Sequence, residues 1–324
     1  MSNARTRVNA EFAATGVILV LVALLPLGVR NDYWLGVLVV SMYFGLCASA
    51  WNLLAGYAGQ FSLAPAAFAM IGAYTTGLLA YHFGAPPWVG IPAAVVVSAV
   101  IGLVLGRIVL RLSGPYLALT TLAFAEIMRA VISNSINITR GDLGLEVPGI
   151  LSSRLGWYFL FLGVLALVQL GFYILLRARA GLYLQAIRDD EIGAASRGVE
   201  VVFWKTIAFA LSSAVCGLAG ALYGHFAHFV SPELGLISQT GLVIIMVVIG
   251  GMGTLAGPLI GAFLVYASSE LLRDVGGWQL VVFALLVIIF ARFFSEGLWG
   301  FVRRLGGLGG RRAVVGRSAA KGEA

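Results

Sequence analysis

The chain alternates between long apolar runs and short polar stretches, and this alternation predicts its architecture. Runs of about twenty apolar residues have the length of a helix that crosses roughly 30 Å of hydrocarbon. A bilayer offers no water to backbone amides, so such runs are expected to be helical. The predicted spans are residues 12–29, 34–55, 61–81, 88–110, 115–133, 157–176, 206–230, 237–255, 257–275 and 278–298. The pattern predicts an all-α polytopic membrane protein with about ten transmembrane helices.

The same pattern divides the chain into an N-terminal arm, 1–11, a transmembrane domain, 12–298, and a basic Arg/Gly-rich tail, 299–324. The first apolar run follows Arg5 and Arg7 as in a secretory signal peptide. It is long for a signal core, however, and it lacks a small-residue cleavage site. It is therefore interpreted as a retained span.

Composition strengthens the membrane assignment. With 60% hydrophobic residues, 11% charged residues and a mean hydropathy of +0.97, the chain has too little polar surface for a soluble globule of 324 residues. Cys47 and Cys216 lie inside apolar runs and are interpreted as small packing residues rather than as a disulfide or a metal pair.

The distribution of Lys and Arg predicts the orientation, because these residues accumulate in cytoplasmic loops. With the N-terminus inside, cytoplasmic segments hold 16 of the 21 basic residues and external segments hold four, while Arg129 lies within a span. Both termini are therefore predicted to be cytoplasmic. The net charge of +7 requires no nucleic acid, and the basic tail is expected to lie on anionic membrane lipid.

One segment between two spans, residues 177–205, interrupts the apolar pattern with nine charged residues. We call it the polar segment. A short helix can form in it, with an aspartate N-cap, a small-residue face and a glycine at its left-handed end: Asp189 or Asp190, Ala194 and Ala195, and Gly198. Such a helix suits a groove in another protein. The polar segment is therefore predicted to contact a protein partner in water.

Two stretches rich in Gly and Pro, 52–74 and 248–262, interrupt the spans. In the first, three residues are expected to break the helix and three polar side chains to gather at the break: Gly56, Gly59 and Pro65, and Tyr57, Gln60 and Ser62. Irregular backbone at membrane depth is tolerated where it lines a cavity or is buried in protein, and paired breaks mark substrate sites in transporters. The alternative is a tight turn at the membrane edge, which stays open for the first stretch and is favoured for the second.

Glycines at four-residue spacing predict seams where two helix backbones approach closely. They are Gly102 and Gly106, Gly220 and Gly224, and Gly253, Gly257 and Gly261.

Two acid–base pairs lie three residues apart within predicted spans: Glu126 with Arg129, and Glu270 with Arg273. This spacing lets each pair neutralise itself along one helix, which is the favoured interpretation. A role in a transport path is the alternative, and it is stronger for Glu126 because Thr120 and Thr121 add to a polar stripe on that span.

Patterns typical of enzymes are missing from the sequence. The glycines at 250–253 are followed by no lysine of a nucleotide-binding loop, and no HExxH or paired-aspartate set is present. His225 and His228 are interpreted as interfacial histidines, with a metal site as the weaker alternative. The chain is therefore predicted to be no enzyme and to hold no cofactor or metal of its own.

Four blocks in a fixed order carry a resemblance to a known family: NLLAGYAGQFSLAPAAF, GPYLALTTLAFAEIMRAV, AIRDDEIGAASRGVEVVFWKTIAFALSSAVCGLAGALYG and VVIGGMGTLAGPLIGA. Through them the chain resembles the integral-membrane permease subunits of branched-chain amino acid ABC importers, specifically the longer, M-type partner. The resemblance covers nearly the whole chain between the arm and the tail.

This resemblance implies a multi-pass protein of the bacterial plasma membrane that moves a small amino acid, in the first place a branched-chain one. It implies that the polar segment is a coupling loop whose contact helix meets two cytoplasmic ATPase subunits, which bind the ATP. The residues implied in that contact are Asp190, Glu191, Ala194, Ala195 and Gly198. A second homologous permease subunit and a periplasmic or extracellular solute-binding protein are the other implied partners. The substrate path predicted from the residues comprises Tyr57, Gln60, Ser62, Thr120, Thr121 and Glu126.

Two departures from the family pattern bear on the solute. Ala64-Pro65 stands where Gly-His is common, and Arg140-Gly141 stands where Gly-Gly is common. Both lie on or near the predicted route, so urea, short amides and other amino acids are alternatives to leucine, isoleucine and valine. An autonomous secondary transporter or channel is a further alternative, but it would need a titratable pair at the bilayer midplane.

Overall fold

The computed structural model describes residues 2–28, 31–109, 114–272 and 297–300, with side chains from residue 9 onward. The helices are α1 Ser2–Gly28, α2 Asp32–Asn52, α3 Pro65–Phe83, α4 Pro87–Val109, α5 Pro115–Asn134, α6 Ile136–Thr139, α7 Arg154–Arg177, α8 Arg179–Asp189, α9 Glu191–Ser196, α10 Val201–Ala227, α11 Ile237–Gly250 and α12 Gly257–Leu271. A π-helical turn, Leu53–Tyr57, prolongs α2, and 3-10 turns occupy Gly141–Leu143 and Pro232–Gly235. The strands β1, Leu145–Glu146, and β2, Phe229–Val230, pair antiparallel.

The all-α class predicted from the apolar runs is confirmed. In the described part of the chain, six helices are long and apolar enough to cross a membrane: Asn9–Gly28, Asp32–Tyr57, Pro87–Val109, Pro115–Asn134, Arg154–Arg177 and Val201–Ala227. Helices α3, α11 and α12 coincide with three further predicted spans. The predicted span 278–298 lies outside the described residues except for its last two, as does most of the predicted tail. The total of about ten spans stays a prediction.

Helix α2 lies at the centre of the bundle. Of its most apolar window, 89% is buried, and its side chains pack against α7, α11 and α12 in a cluster that includes Met42, Trp51, Phe161 and Leu165. Lipid is as apolar as such a core, so these helices are held by close packing rather than by expulsion of water. Cys47 and Cys216 are both buried and unbonded to each other as a disulfide, consistent with their interpretation as packing residues.

The predicted glycine seams are confirmed at the contacts of α10 with α3 and α4. A Cβ atom built on Gly102 of α4 would lie 2.5 Å from Ser213 Cβ of α10. Gly72 and Gly217, which the spacing did not single out, approach as closely, since a Cβ atom on Gly72 would lie 2.5 Å from Gly217 Cα. Gly220 rests in the same way on the backbone of Ala69. Gly253 is an exception to the predicted seams, since it lies in the turn between α11 and α12 with φ +74°.

The two polar regions lie at opposite ends of the bundle because α7 connects them. One end carries the polar segment with α8 and α9. The other end carries a cap formed by residues 135–153, which is joined to the chain after α10 by the β1–β2 pair. The predicted orientation assigns the first end to the cytoplasm and the second to the exterior, and it stays a prediction.

His225 is buried rather than interfacial, which corrects the prediction from the sequence. Its Nδ1 atom lies 2.7 Å from the Pro148 carbonyl oxygen, and its Nε2 atom lies 2.8 Å from Thr76 Oγ1. A carbonyl can only accept, so Nδ1 carries the hydrogen and Nε2 accepts from the Thr76 hydroxyl. Both ring nitrogens are used, and the residue fastens the cap to α3 and α10.

Candidate functional site

The first Gly/Pro stretch forms a buried interruption between α2 and α3. The helix continues through Gly56 as a π turn in which the N–H of Ala58 donates to Leu53 O, and Gln60 N donates to Leu54 O at 3.0 Å. It ends at Gly59, whose φ of +70° is left-handed. The sequence prediction that Gly56 breaks the helix is therefore wrong. Glycine inside a helix costs only about 1 kcal/mol, and here the helix ends at the left-handed Gly59 instead.

The polar side chains predicted at this break are all buried. Tyr57, Gln60 and Ser62 are 5%, 6% and 2% exposed, so the break is no ordinary turn in water. Gln60 Nε2 makes a long hydrogen bond of 3.4 Å to Ala58 O, and Ser62 Oγ accepts from Ala64 N at 3.3 Å. Gln60 Oε1 is buried with no hydrogen-bond partner within the described part of the chain. A buried acceptor of this kind costs free energy unless something else binds it.

Neighbouring helices satisfy the backbone of the break. Trp51 Nε1 donates to Ser62 O at 2.7 Å, and Leu63 N donates to Thr121 Oγ1 on α5 at 2.9 Å. Thr121 in turn donates to Ala118 O of its own helix at 2.9 Å. These bonds meet the requirement that buried backbone groups be paired and fix the break against α5. Thr121 is therefore the fourth predicted path residue that lies at the first break, together with Tyr57, Gln60 and Ser62.

Thr120 and Glu126 make their hydrogen bonds to other residues of α5. Thr120 Oγ1 donates to Tyr116 O at 2.8 Å within its own helix. Arg129 donates from Nε and Nη2 to Glu126 Oε2 at 3.0 and 2.9 Å, so the predicted self-pairing along the helix is confirmed. In the second predicted pair, Arg273 lies outside the described residues, and Glu270 accepts a hydrogen bond from the Tyr33 hydroxyl.

The second Gly/Pro stretch forms a turn between α11 and α12 that meets the first break directly. Asn52 joins the two: its Nδ2 donates to Thr254 O at 2.8 Å, and its Oδ1 accepts from Gly253 N at 2.7 Å. A Cβ atom on Gly56 would lie 2.6 Å from Gly253 N, so glycine is required for this approach. The sequence singled out both stretches, but it contained no signal that a single asparagine bridges them.

The polar segment folds into α8 and α9, and two predictions about α9 are confirmed. Asp190 is its N-cap, with Oδ1 accepting from Gly193 N at 3.0 Å. Gly198 follows its last turn with φ +82° and donates to Ala195 O at 3.0 Å.

The small-residue face predicted for α9 is not a single face. Ala194 is buried against the rest of the chain, whereas Ala195 is exposed. Adjacent helical residues are about 100° apart, so a helix that packs on one side separates them. The outward surface instead carries Glu191, Ala195 and Ile192, and Ile192 is 83% exposed. An isolated apolar residue in a charged segment was the available signal for Ile192, which is absent from the contact residues predicted above.

Lys205 is a further residue that sequence reasoning counted only as a charge. Its side chain is 3% exposed, and its Nζ lies 2.6 Å from Glu191 Oε2. The pair ties the first residue of α9 to the start of α10. A cavity of about 340 Å³ lies beside it, lined also by Gln60, Phe61 and Pro115. Gln60, a predicted path residue, and Glu191, a predicted contact residue, both line this cavity and so lie at the same end of the bundle.

A family model and several curated relatives match this chain. The model described as the branched-chain amino acid transport system permease component matches residues 33–291. The high-affinity branched-chain amino acid transport system permease protein LivM of Salmonella typhimurium is 33% identical over 82% of this chain and 69% of its own length. LivM of Escherichia coli is 32% identical over 88% and 75%, and the fructose import permease protein FrcC of Rhizobium meliloti is 28% identical over 76% and 72%. No solved structure matches the chain.

Proposed function

The chain belongs to the family of branched-chain amino acid transport permeases, and from that premise we propose that it is the M-type permease subunit of an ABC importer. In this role it forms a translocation path for a small amino acid and couples to separate cytoplasmic ATPase subunits. One observation above all supports the proposal. The exposed helix α9 and the two buried breaks lie at the same end of the bundle, and α8, which leads directly into α9, bonds to the first break through Arg188 and the Gly56 carbonyl oxygen.

Helix α9 is the proposed docking element for the ATPase subunits. It is capped by Asp190, ended by Gly198 and fixed to α10 by the pair of Glu191 and Lys205, so its position is well defined. Its exposed Ile192 and Ala195 offer an apolar point with little bulk around it. An exposed apolar residue on a rigid, charged support favours a pocket in a protein partner over a lipid surface.

A second permease subunit is the proposed neighbour of α5. The side chains of Glu126 and Arg129 are 40% and 33% exposed within a helix that is apolar enough to span the membrane. A charged pair facing hydrocarbon is costly even when paired. Contact of this face with a homologous subunit around a water-filled path removes that cost. A periplasmic or extracellular solute-binding protein would deliver the solute to the cap end.

A branched-chain amino acid is the solute proposed first, because the LivM relatives are named for that transport. The fructose permease among the relatives shows that similar chains serve other solutes, so urea, amides and other amino acids stay open as alternatives. An autonomous ion-coupled transporter is disfavoured because Glu126, the acid predicted from the sequence, is already bonded to Arg129.

Co-purification tests the proposal directly. The chain, expressed with its partner subunits and solubilised in mild detergent, should bring down a second permease and two copies of ATPase. The reconstituted complex should take up radiolabelled leucine only when ATP and the binding protein are supplied. Uptake by the purified chain alone, driven by an ion gradient without ATP, would overturn the proposal in favour of a secondary transporter.

The orientation can be checked with single cysteines, since Ser196 and Ser152 are exposed at opposite ends of the bundle. In a background where Cys47 and Cys216 are replaced by alanine, a membrane-impermeant thiol reagent added to intact cells should label Ser152→Cys and spare Ser196→Cys. Both should react after the cells are opened. The reverse pattern in intact cells would show that the Lys and Arg distribution was misinterpreted.

Replacing Gln60 probes the proposed path. Its side chain makes one long hydrogen bond and has an unpaired buried acceptor, so Gln60→Ala should leave protein yield nearly unchanged. A hydrogen bond to a charged solute group is worth roughly 1.5–3 kcal/mol, so the apparent affinity of uptake should fall about ten-fold or more. Thr120→Ala, whose hydroxyl is bonded within its own helix, is the companion variant and should transport normally if the path lies at the break rather than along α5. Wild-type uptake kinetics in Gln60→Ala would remove this residue from the path.

A further inference from the structure

Arg188 connects the polar segment to the membrane helices. It lies near the end of α8, and its Nη1 atom donates a hydrogen bond of 2.9 Å to the carbonyl oxygen of Gly56 in the π turn of α2. Its other edge is held as well, because Nε and Nη2 donate to Asp189 Oδ1 at 3.0 and 2.9 Å. The guanidinium therefore holds a membrane-helix carbonyl and its own segment at the same time.

The chemistry at the end of α2 explains why an arginine is suited to this position. The last carbonyls of a helix lack donors from their own helix, and that end carries a partial negative charge. A cationic donor is favoured there, and here it comes from a residue far away in the sequence. The rigid fork of arginine can bind two acceptors at once, which the single ammonium of lysine cannot do in the same geometry.

The packing around Arg188 leaves no slack between α8 and the break. A Cβ atom on Gly59 would lie 3.1 Å from Arg188 Cγ and 3.2 Å from Arg188 Cα. One on Gly253 would lie 3.2 Å from Gly56 O and 3.5 Å from Arg188 Nη1. The guanidinium thus lies where the two breaks meet, next to the Asn52 bridge. A displacement of α8 must therefore move the first break or rupture the hydrogen bond from Arg188 to Gly56 O.

Helix α8 is also joined stiffly to α9. A single residue, Asp190, separates the two helices, and its N–H donates to Ala186 O at 3.0 Å while its carboxylate caps α9. The connection from the exposed surface of α9 to Gly56 therefore runs through α9 itself, through Asp190, and through Arg188, whose guanidinium bonds to both Asp189 and Gly56 O.

We propose that Arg188 is a positioning residue that transmits movement of α9, where the ATPase would dock, to the two buried breaks. The proposal rests on the proposed function, since it needs an ATPase at α9 and a solute path at the breaks. The Lys205–Glu191 pair fixes α9 to α10, whereas Arg188 on the adjoining α8 bonds to Gly56 O at the end of α2 and lies beside Gly253 in the turn before α12. Without Arg188, the complex should still hydrolyse ATP but import less solute per ATP, and it should keep its ATPase subunits and its second permease subunit.

The test uses the reconstituted complete transporter and measures solute imported per ATP hydrolysed. Arg188→Ala should still bind the ATPase subunits and hydrolyse ATP, while the import ratio falls by about ten-fold, within the usual range of coupling between sites. Arg188→Lys, which can keep one of the two contacts, should give an intermediate ratio. Arg179→Ala, at the exposed start of the same helix, is the matched control and should keep the wild-type ratio.

The outcomes separate the two proposals. If the wild-type chain binds no ATPase, the proposed function itself is wrong. If the wild-type complex is active and both Arg188 variants keep its import ratio, only the role of Arg188 is overturned. A parallel loss of import, hydrolysis and thermal stability would also overturn it, because that result describes a helix cap without a transmitting role. Should Arg188→Ala fail to accumulate, the ratio in Arg188→Lys decides the question.

Discussion

Gly220→Leu is expected to prevent the protein from accumulating in a folded form. A Cβ atom at this position would overlap the Ala69 carbonyl group and lie 2.8 Å from Ala69 Cα. The obstacle is backbone, so a side chain can fit only if α10 and α3 move apart. In a membrane this contact cannot be replaced by general hydrophobic attraction, because lipid is as apolar as the helices. We expect a loss of about 4 kcal/mol or more, a large share of typical stability.

The measurement is the yield of monodisperse protein in detergent, followed by its thermal unfolding. Gly163→Leu is the matched control, since a Cβ atom there meets nothing within 4 Å and the residue lies on the exposed side of α7. The control should behave like the wild type. Equal yields and equal unfolding temperatures for the two variants would mean that the α3–α10 seam contributes little to the fold.

Gly198→Val is expected to abolish most of the uptake while the protein still inserts and folds. The residue has a φ of +82°, which is strongly unfavourable for a β-branched side chain. A Cβ atom at this position meets nothing within 4 Å, so the effect comes from the backbone conformation and not from lack of space. The left-handed conformation costs a residue with a side chain roughly 1–2 kcal/mol, and more for valine. The end of α9 should therefore shift, and Ile192 with it.

Gly198→Asn is the companion variant, because asparagine tolerates the left-handed conformation. It should retain both ATPase co-purification and uptake, whereas Gly198→Val should lose both. The pair separates conformation from size, since valine and asparagine have similar bulk. Full activity in the valine variant would show that the geometry at the end of α9 does not matter for docking. Equal loss in both variants would indicate that any side chain blocks the partner's surface.

Several features of the site could be predicted because their signals are local. The aspartate that caps α9 and the glycine that ends it lie eight residues apart at Asp190 and Gly198, and both have the predicted conformations. The pairing of Glu126 with Arg129 likewise depends only on three-residue spacing. Each of these predictions required the geometry of one helix and nothing from the rest of the chain.

Other features of the site could not be predicted, because the rotation of a helix about its axis is decided by the helices that pack against it. Thr121 accepts a hydrogen bond from Leu63 N in the break whereas Thr120 bonds within its own helix, and Ala194 is buried while Ala195 is exposed. In a soluble protein, the alternation of polar and apolar residues marks the buried face. In a membrane helix both the core and the lipid favour apolar residues, so this signal is weak and the sequence does not reveal which side is inside.

The sequence by itself determined that this is a helical membrane protein of the permease family, where its long helices and its polar segment lie, and how α9 begins and ends. These properties follow from run length, composition and short-range capping. Only the tertiary structure decided that Asn52 joins the two breaks, that His225 fastens the cap and that Arg188 reaches Gly56. These contacts join residues far apart in the chain. A polar side chain in an apolar run predicts that a hydrogen-bond partner exists, but not which residue it is. Which partner it finds depends on how the helices pack.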